Sequence, residues 1–128
     1  MCNNLVRRTL VSKSLIDDVF DKDEDRRNSA IRTIVSQRWD PEPFVNRIKR
    51  LDLTTDPRGI FKETHHEASL NTLALTYQEA GLLEYAKRIL EALTTRGSTS
   101  PATLNNLGLV SYQLGDPLTA EEYFREAN

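Results

Sequence analysis

EASLNTLALTYQEAGLLEYAKRILEALT, residues 67–94, aligns without a gap on PATLNNLGLVSYQLGDPLTAEEYFREAN, residues 101–128, at an offset of 34 positions. Seven of the 28 pairs are identical: Ala68/Ala102, Leu70/Leu104, Asn71/Asn105, Leu73/Leu107, Leu75/Leu109, Gly81/Gly115 and Ala86/Ala120. Self-similarity at a fixed period decides architecture before any local propensity, because each repeat buries its apolar face only against a neighbour. The punctuation repeats as well. Gly81 and Gly115 let a helix end with positive φ at no steric cost. Thr64-His65-His66-Glu67 has capping-box spacing, and Ser100-Pro101 and Asp116-Pro117 each read as an N-cap followed by a first-turn proline. The pattern predicts helices over 65–80, 83–95, 101–114 and 117–127.

With helix, turn, helix and a period of 34, this segment resembles the tetratricopeptide repeat (TPR) family. The residues that carry the resemblance are Leu70, Leu73, Ala74, Tyr77, Gly81, Ala86 and Leu90, then Leu104, Leu107, Gly108, Gly115, Ala120, Phe124 and Ala127. There are departures. Leu70 and Leu104 stand where the family has Trp or another large residue, Ser111 beside Tyr112 stands at the Tyr position, Leu93 replaces an Ala, and the loop proline is shifted to Pro101. Small residues at Ala74, Ala86, Gly108 and Ala120 allow close helix approach. The resemblance implies an all-α fold: antiparallel helical hairpins forming a short TPR-type right-handed α-solenoid, with an irregular N-terminal helical cap. Residues 1–64 would be the cap or diverged helices, and residues 65–128 the two repeats, 67–100 and 101–128.

Residues 1–64 show no echo at that period. Helices are expected over 4–20, 23–38 and 41–52, with starts at Asp21-Lys22-Asp23-Glu24 and Asp40-Pro41 and a loop at Leu53–Gly59. Ile31, Ile34, Val35 and Trp39 form one apolar stripe, and Phe44, Val45, Ile48 and Leu51 another. Both read as core. Two hairpins are fewer than the roughly three repeats such arrays need, so the N-terminal helices must add packing. The last helix, with Leu118, Tyr123 and Phe124, would be left uncovered, which suggests either a longer array or self-association.

Bulk composition narrows the function. Hydrophobic residues make up 38% and charged residues 28%, which fits a thin, surface-rich helical assembly. Net charge is −2, and the lone Cys2 precludes a disulfide framework or a multi-cysteine zinc site. Residues 1–64 carry 13 basic and 11 acidic groups, and residues 65–128 carry 4 and 8. Neither a signal peptide nor an apolar run near 18 residues is present, so the expected location is cytoplasmic, with no membrane partner.

Chemical motifs fail one by one. His66-Glu67 opens like a zinc-protease helix, but Leu70 stands where the second histidine must be. Asp21, Asp23 and Asp25 match a calcium loop, but Arg26 and Arg32 occupy its glycine and bidentate-glutamate positions. Arg26-Arg27-Asn28-Ser29 is a weak kinase-substrate match. Arg7-Arg8 and Arg47-Lys49-Arg50 lack an aromatic platform, so no nucleic-acid partner is expected. No phosphate loop or nucleophile elbow exists. The expectation is therefore no enzyme activity, no metal and no cofactor.

The resemblance implies a concave face lined by the first helix of each hairpin. That face would present Ala68, Asn71, Leu75, Gln78 and Glu79, then Ala102, Asn105, Leu109, Tyr112 and Gln113. Asn71 and Asn105 are expected to stack as a ladder whose amides pair with a peptide backbone. The family's carboxylate clamp is mostly absent: Asn106 matches one of its positions, but Asn71 and Leu75 stand where Lys and Asn are required. The expected role is a protein–protein interaction scaffold with a peptide or helix partner. The alternatives are a homo-oligomer formed through the C-terminal helix, or a docking and sensing part of a larger regulator.

Overall fold

A computed structural model describes residues 14–51 and 64–128, and every regular element in them is a helix. Residues 14–19 form α1. There follow α2 (Glu24–Ser36), α3 (Glu42–Ile48), α4 (Thr64–Glu79), α5 (Leu83–Thr95), α6 (Pro101–Gln113) and α7 (Pro117–Ala127). The four C-terminal helices match the sequence expectation to within one residue at each end. The expected third helix is shorter, ending at Ile48 instead of residue 52. Residues 4–13, the loop at 53–59 and Cys2 lie outside the described residues.

The helix ends explain the turns. After α4, Leu82 N donates to Tyr77 O (2.9 Å) with Gly81 at φ 83°, and after α6, Asp116 N donates to Ser111 O (2.9 Å) with Gly115 at φ 90°. Gly97, at φ 113°, closes α5 in the same way. These are Schellman closures, which need a left-handed residue just past the helix. The end of α2 uses the same device without glycine: Trp39 N donates to Ile34 O (3.2 Å), and Arg38 holds φ 56°. At the helix starts, Asp23 Oδ1 accepts from Arg26 N (3.1 Å) and Asp116 Oδ1 from Thr119 N (3.2 Å). Hydrogen bonds from the Thr119 side chain and from its backbone amide hold the Asp116 carboxyl below its ordinary range. Ser100 stands at the α6 N-cap but makes no side-chain cap bond.

α4 pairs with α5, and α6 with α7, as antiparallel hairpins, and α5 leans on α6. α4 also lies between α2 and α6, and α3 lies against α5. The N-terminal elements thus pack on the first hairpin, α2 against α4 and α3 against α5. One core runs through the molecule, from Val19, Ile31, Ile34, Phe44 and Ile48 to Leu70, Leu73, Tyr77, Ile89, Leu90 and Leu107. Ala74, Ala86 and Ala120 are buried at the helix crossings. Gly108 has the sharpest requirement, because a Cβ there would stand 2.6 Å from Phe124 Cε1. The bulkier ring at the Leu90-equivalent position is accommodated by removing the methyl group that Ala74 carries.

Tyr77 ties the N-terminal helices to the repeats. It is fully buried, its hydroxyl donates to Trp39 O at 2.6 Å, and its ring meets Tyr85 edge-on at 5.5 Å. Burial, reinforced by the Asp40 carboxylate, raises its pKa above 10.0. Arg88 bridges the same region at the surface, donating to both Asp40 oxygens (3.2 Å each) and to Glu42 (2.6 Å). The exposure of that cluster limits it to about 1 kcal/mol or less. Arg96 donates to Leu51 O (2.8 Å), fastening the end of the α3 segment to α5.

Two variants test these joints. Tyr77→Phe removes the buried donor and leaves Trp39 O unpaired, and is expected to cost about 1–2 kcal/mol in urea unfolding. Because the folded-state pKa of Tyr77 is raised, its contribution is whole below pH 10.0 and is lost as pH rises beyond that value. Tyr77→Phe should flatten that alkaline loss. Arg38→Gly, by removing the Cβ cost of a left-handed residue, is expected to raise stability by about 0.5–1 kcal/mol.

Candidate functional site

The seam between α4 and α6 gathers most of the polar side chains singled out in the sequence. Asn71, 7% exposed, spends its whole amide there. Its Nδ2 donates to Glu67 O (3.1 Å) and to Thr103 Oγ1 (2.8 Å), and its Oδ1 accepts from Asn106 Nδ2 (3.0 Å). Thr103 in turn donates to Glu67 Oε1 at 2.9 Å, and Ser98 donates to the same oxygen. Glu67, read from sequence as closing a capping box, therefore serves the next hairpin from within the first turn of α4. A helix N-terminus favours a carboxylate there. A second rung lies two turns further on, where Gln78 Nε2 donates to Gln113 Oε1 at 2.5 Å.

The asparagine ladder is thus not formed. Asn71 bonds Asn106 and Thr103 rather than its sequence equivalent Asn105, which is exposed and makes no hydrogen bond among the described residues. The reason is helical phase. Asn71 points from α4 towards α6, so the equivalent Asn105 points from α6 away from α4, and the facing residue lies one position on. Both rungs have a separation of 35 residues, one more than the repeat. The same phase makes Asn106 a structural amide, unavailable for the clamp role that its position suggests.

The rungs bracket a free apolar pair. Leu75 lies one helical turn from both Asn71 and Gln78, and Leu109 lies one turn from both Asn106 and Gln113. Both side chains are exposed, at 38% and 41%, and Tyr112 beside them at 62%. Gln113, Ala68, Ala102 and Glu79 are exposed around them. Of the seven groove residues expected from sequence, Leu75, Asn105, Leu109, Tyr112 and Gln113 are open to a ligand. Asn71 and Gln78 instead form the floor. Gln78 Oε1 is buried and has no hydrogen-bond partner among the described residues. Thr103 and Ser98 were missed, and their only sequence signal is a hydroxyl placed to face a buried acid one repeat earlier.

Other features are less specific. A cleft of 320 Å³ between α3 and α5 is lined by Val45, Ile48 and Ala92 with charged residues at its edge, and another of 370 Å³ lies by Trp39, Phe44 and Tyr85. Neither is lined by the α4–α6 stripe. His66, expected to be solvated, is half-buried edge-on against Phe20 at a centroid distance of 5.0 Å. No group of three or more metal-ligating side chains is found among the described residues, and no helix among them is long and apolar enough to cross a membrane. No protein-family model, curated protein or solved structure matches the chain.

The seam makes a direct test possible. Asn71→Ala removes three hydrogen bonds from a buried network and leaves the Asn106 amide without its acceptor, and is expected to cost about 2–3 kcal/mol in chemical denaturation. Asn105→Ala, at the equivalent sequence position, should stay within about 0.5 kcal/mol of the parent. Equal costs at the two positions would contradict the assigned seam.

Proposed function

We propose that this chain is a tetratricopeptide-type interaction scaffold that takes a partner peptide across α4 and α6. The carrying observation is the pair of exposed leucines, Leu75 and Leu109, with Tyr112 beside them, held between two hydrogen-bonded rungs. Large apolar side chains on neighbouring helices are solvated at a cost that a ligand removes, at about 25 cal/mol per Å² covered. Further support comes from the 34-residue repeat and from helices that alternate in side-by-side order. In this reading the leucines and Tyr112 receive apolar side chains of the peptide, while the exposed Gln113 amide meets its backbone. The buried pair Asn71 and Gln78 contributes rigidity rather than contact. Rigid floors lower the ordering cost of binding.

A displayed library of random peptides, selected on the full chain, tests the proposal. Selected peptides are expected to carry apolar anchors and to bind Leu75→Ser and Leu109→Ser variants about tenfold or more weakly, since each leucine is worth about 1.4 kcal/mol or more when covered. Leu118→Ser, at a still more exposed leucine on α7, should leave affinity within about twofold. Selection that yields no binder, or losses equal at Leu118, would overturn the reading.

A further inference from the structure

The two flanks of α4 are finished differently. On the α6 side, Asn71–Asn106 and Gln78–Gln113 bond across the gap. On the α2 side Tyr77 reaches Trp39 beyond the end of α2, but no hydrogen bond joins α4 to α2 itself among the described residues. A cleft of 500 Å³ lies there instead, lined by Arg32, Ser36 and Arg38 on one wall and by Thr76 and Glu79 on the other. It borders the leucine stripe directly, since Thr76 follows Leu75 and Glu79 lies one helical turn from it.

The donors in this cleft are unevenly spent. Thr76 Oγ1 donates to Thr72 O (2.8 Å) and Ser36 Oγ to Thr33 O (3.1 Å), so both hydroxyls are committed to their own helices. What remains is the guanidinium of Arg32 and that of Arg38, both exposed and neither in an ion pair among the described residues. Glu79 lines the same cleft and pairs with neither. Elsewhere Arg26, Arg47, Arg88 and Arg125 each hold a carboxylate of this chain.

We infer that the bound peptide carries an aspartate or glutamate whose side chain binds Arg32 and Arg38 in this cleft. The inference rests on the scaffold reading above and specifies its ligand as an acidic one. A guanidinium offers a planar fork of N–H donors that matches a carboxylate, and two that lack an acid of their own give up no existing pair to bind one. Glu79 repels a carboxylate from the α4 wall and so directs it to α2. Spacing follows from the helices. Packed helices lie about 8–10 Å apart, and three residues of polyproline-like chain cover about 9 Å. A peptide crossing α6, α4 and α2 therefore meets Leu109, Leu75 and the arginines with side chains at about every third position.

Peptides selected on the full chain, made as synthetic copies, are the probes. Those that need Leu75 and Leu109 should share an Asp or Glu about three positions beyond one apolar anchor. Arg32→Gln together with Arg38→Gln should weaken them about tenfold or more, and leave urea unfolding of the chain unchanged. Replacing the peptide's acid by its amide should cost as much, and that amide peptide should no longer distinguish parent from variant. Arg32→Glu with Arg38→Glu should instead favour a peptide whose acid is replaced by lysine. Amidating the peptide C-terminus should change nothing; a loss there would assign the arginines to a terminal carboxylate and overturn the inference. Leucine-dependent peptides that lack an acid and bind the arginine variants undiminished would also overturn it while leaving the scaffold reading standing. If no leucine-dependent peptide is selected, both fall.

Discussion

Asn71 holds a position that leaves its neighbours little freedom. A primary amide buried between two helices must find partners for two N–H groups and a carbonyl oxygen, or cost on the order of 1–3 kcal/mol for each strong bond forgone. Here all of them are found: one on the preceding turn of its own helix and two on α6. Those partners fix the rotation and the axial position of α6 against α4, since a slip of one residue would aim Asn106 elsewhere. Glu67 is then buried under Ser98 and Thr103, and the Gln78–Gln113 rung falls two turns further along. The exposure of Leu75 and Leu109 follows from this register rather than from any preference of leucine for water.

The repeat made most of this legible. Identical residues at a fixed period, glycines at two of the turns and prolines at two helix starts placed four helices to within one residue. What the period could not convey is the direction in which an element faces. Alignment pairs residues that play the same role in successive hairpins, whereas contact pairs a residue with the opposite flank of the next helix. Asn71 and Asn105 are equivalent and therefore do not meet. The one-residue difference between repeat length and bonded separation expresses that distinction, and it appears only once the helices are set side by side.

The N-terminal part was harder to read, for identifiable reasons. The α2 closure has the backbone geometry of the Gly81 and Gly115 closures, but it places Arg38 in the left-handed position, so the glycine signal is missing. α3 has only seven residues, too few to display helical periodicity beyond Phe44, Val45 and Ile48. The apolar stripes read from sequence entered the core except for Val45, which is half-buried and lines the cleft between α3 and α5, and the contact that joins them to the repeats is Tyr77 to the Trp39 carbonyl. A buried tyrosine oxygen needs a partner, but the sequence offers no means of choosing a backbone carbonyl 38 residues away.

The division between spent and unspent polar groups separates residues that hold the helices together from residues that face solvent. An asparagine at a repeat position is ambiguous, because the same side chain serves equally well as internal fastener and as ligand contact. Burial resolves the ambiguity residue by residue. Where α6 covers α4, Asn71 is consumed and Gln78 is buried, leaving the two leucines and the Gln113 amide to face outward, so any affinity on that stripe comes chiefly from apolar contact. On the far side of α6 the balance reverses: Asn105 keeps every hydrogen-bonding group, beside a phenylalanine and a tyrosine that remain partly solvated. One helix thus presents two flanks of different chemistry, an apolar one at Leu109 and a polar one at Asn105. An apolar stripe accepts side chains with little discrimination, whereas an unpaired amide beside aromatic rings rejects any partner that fails to satisfy it.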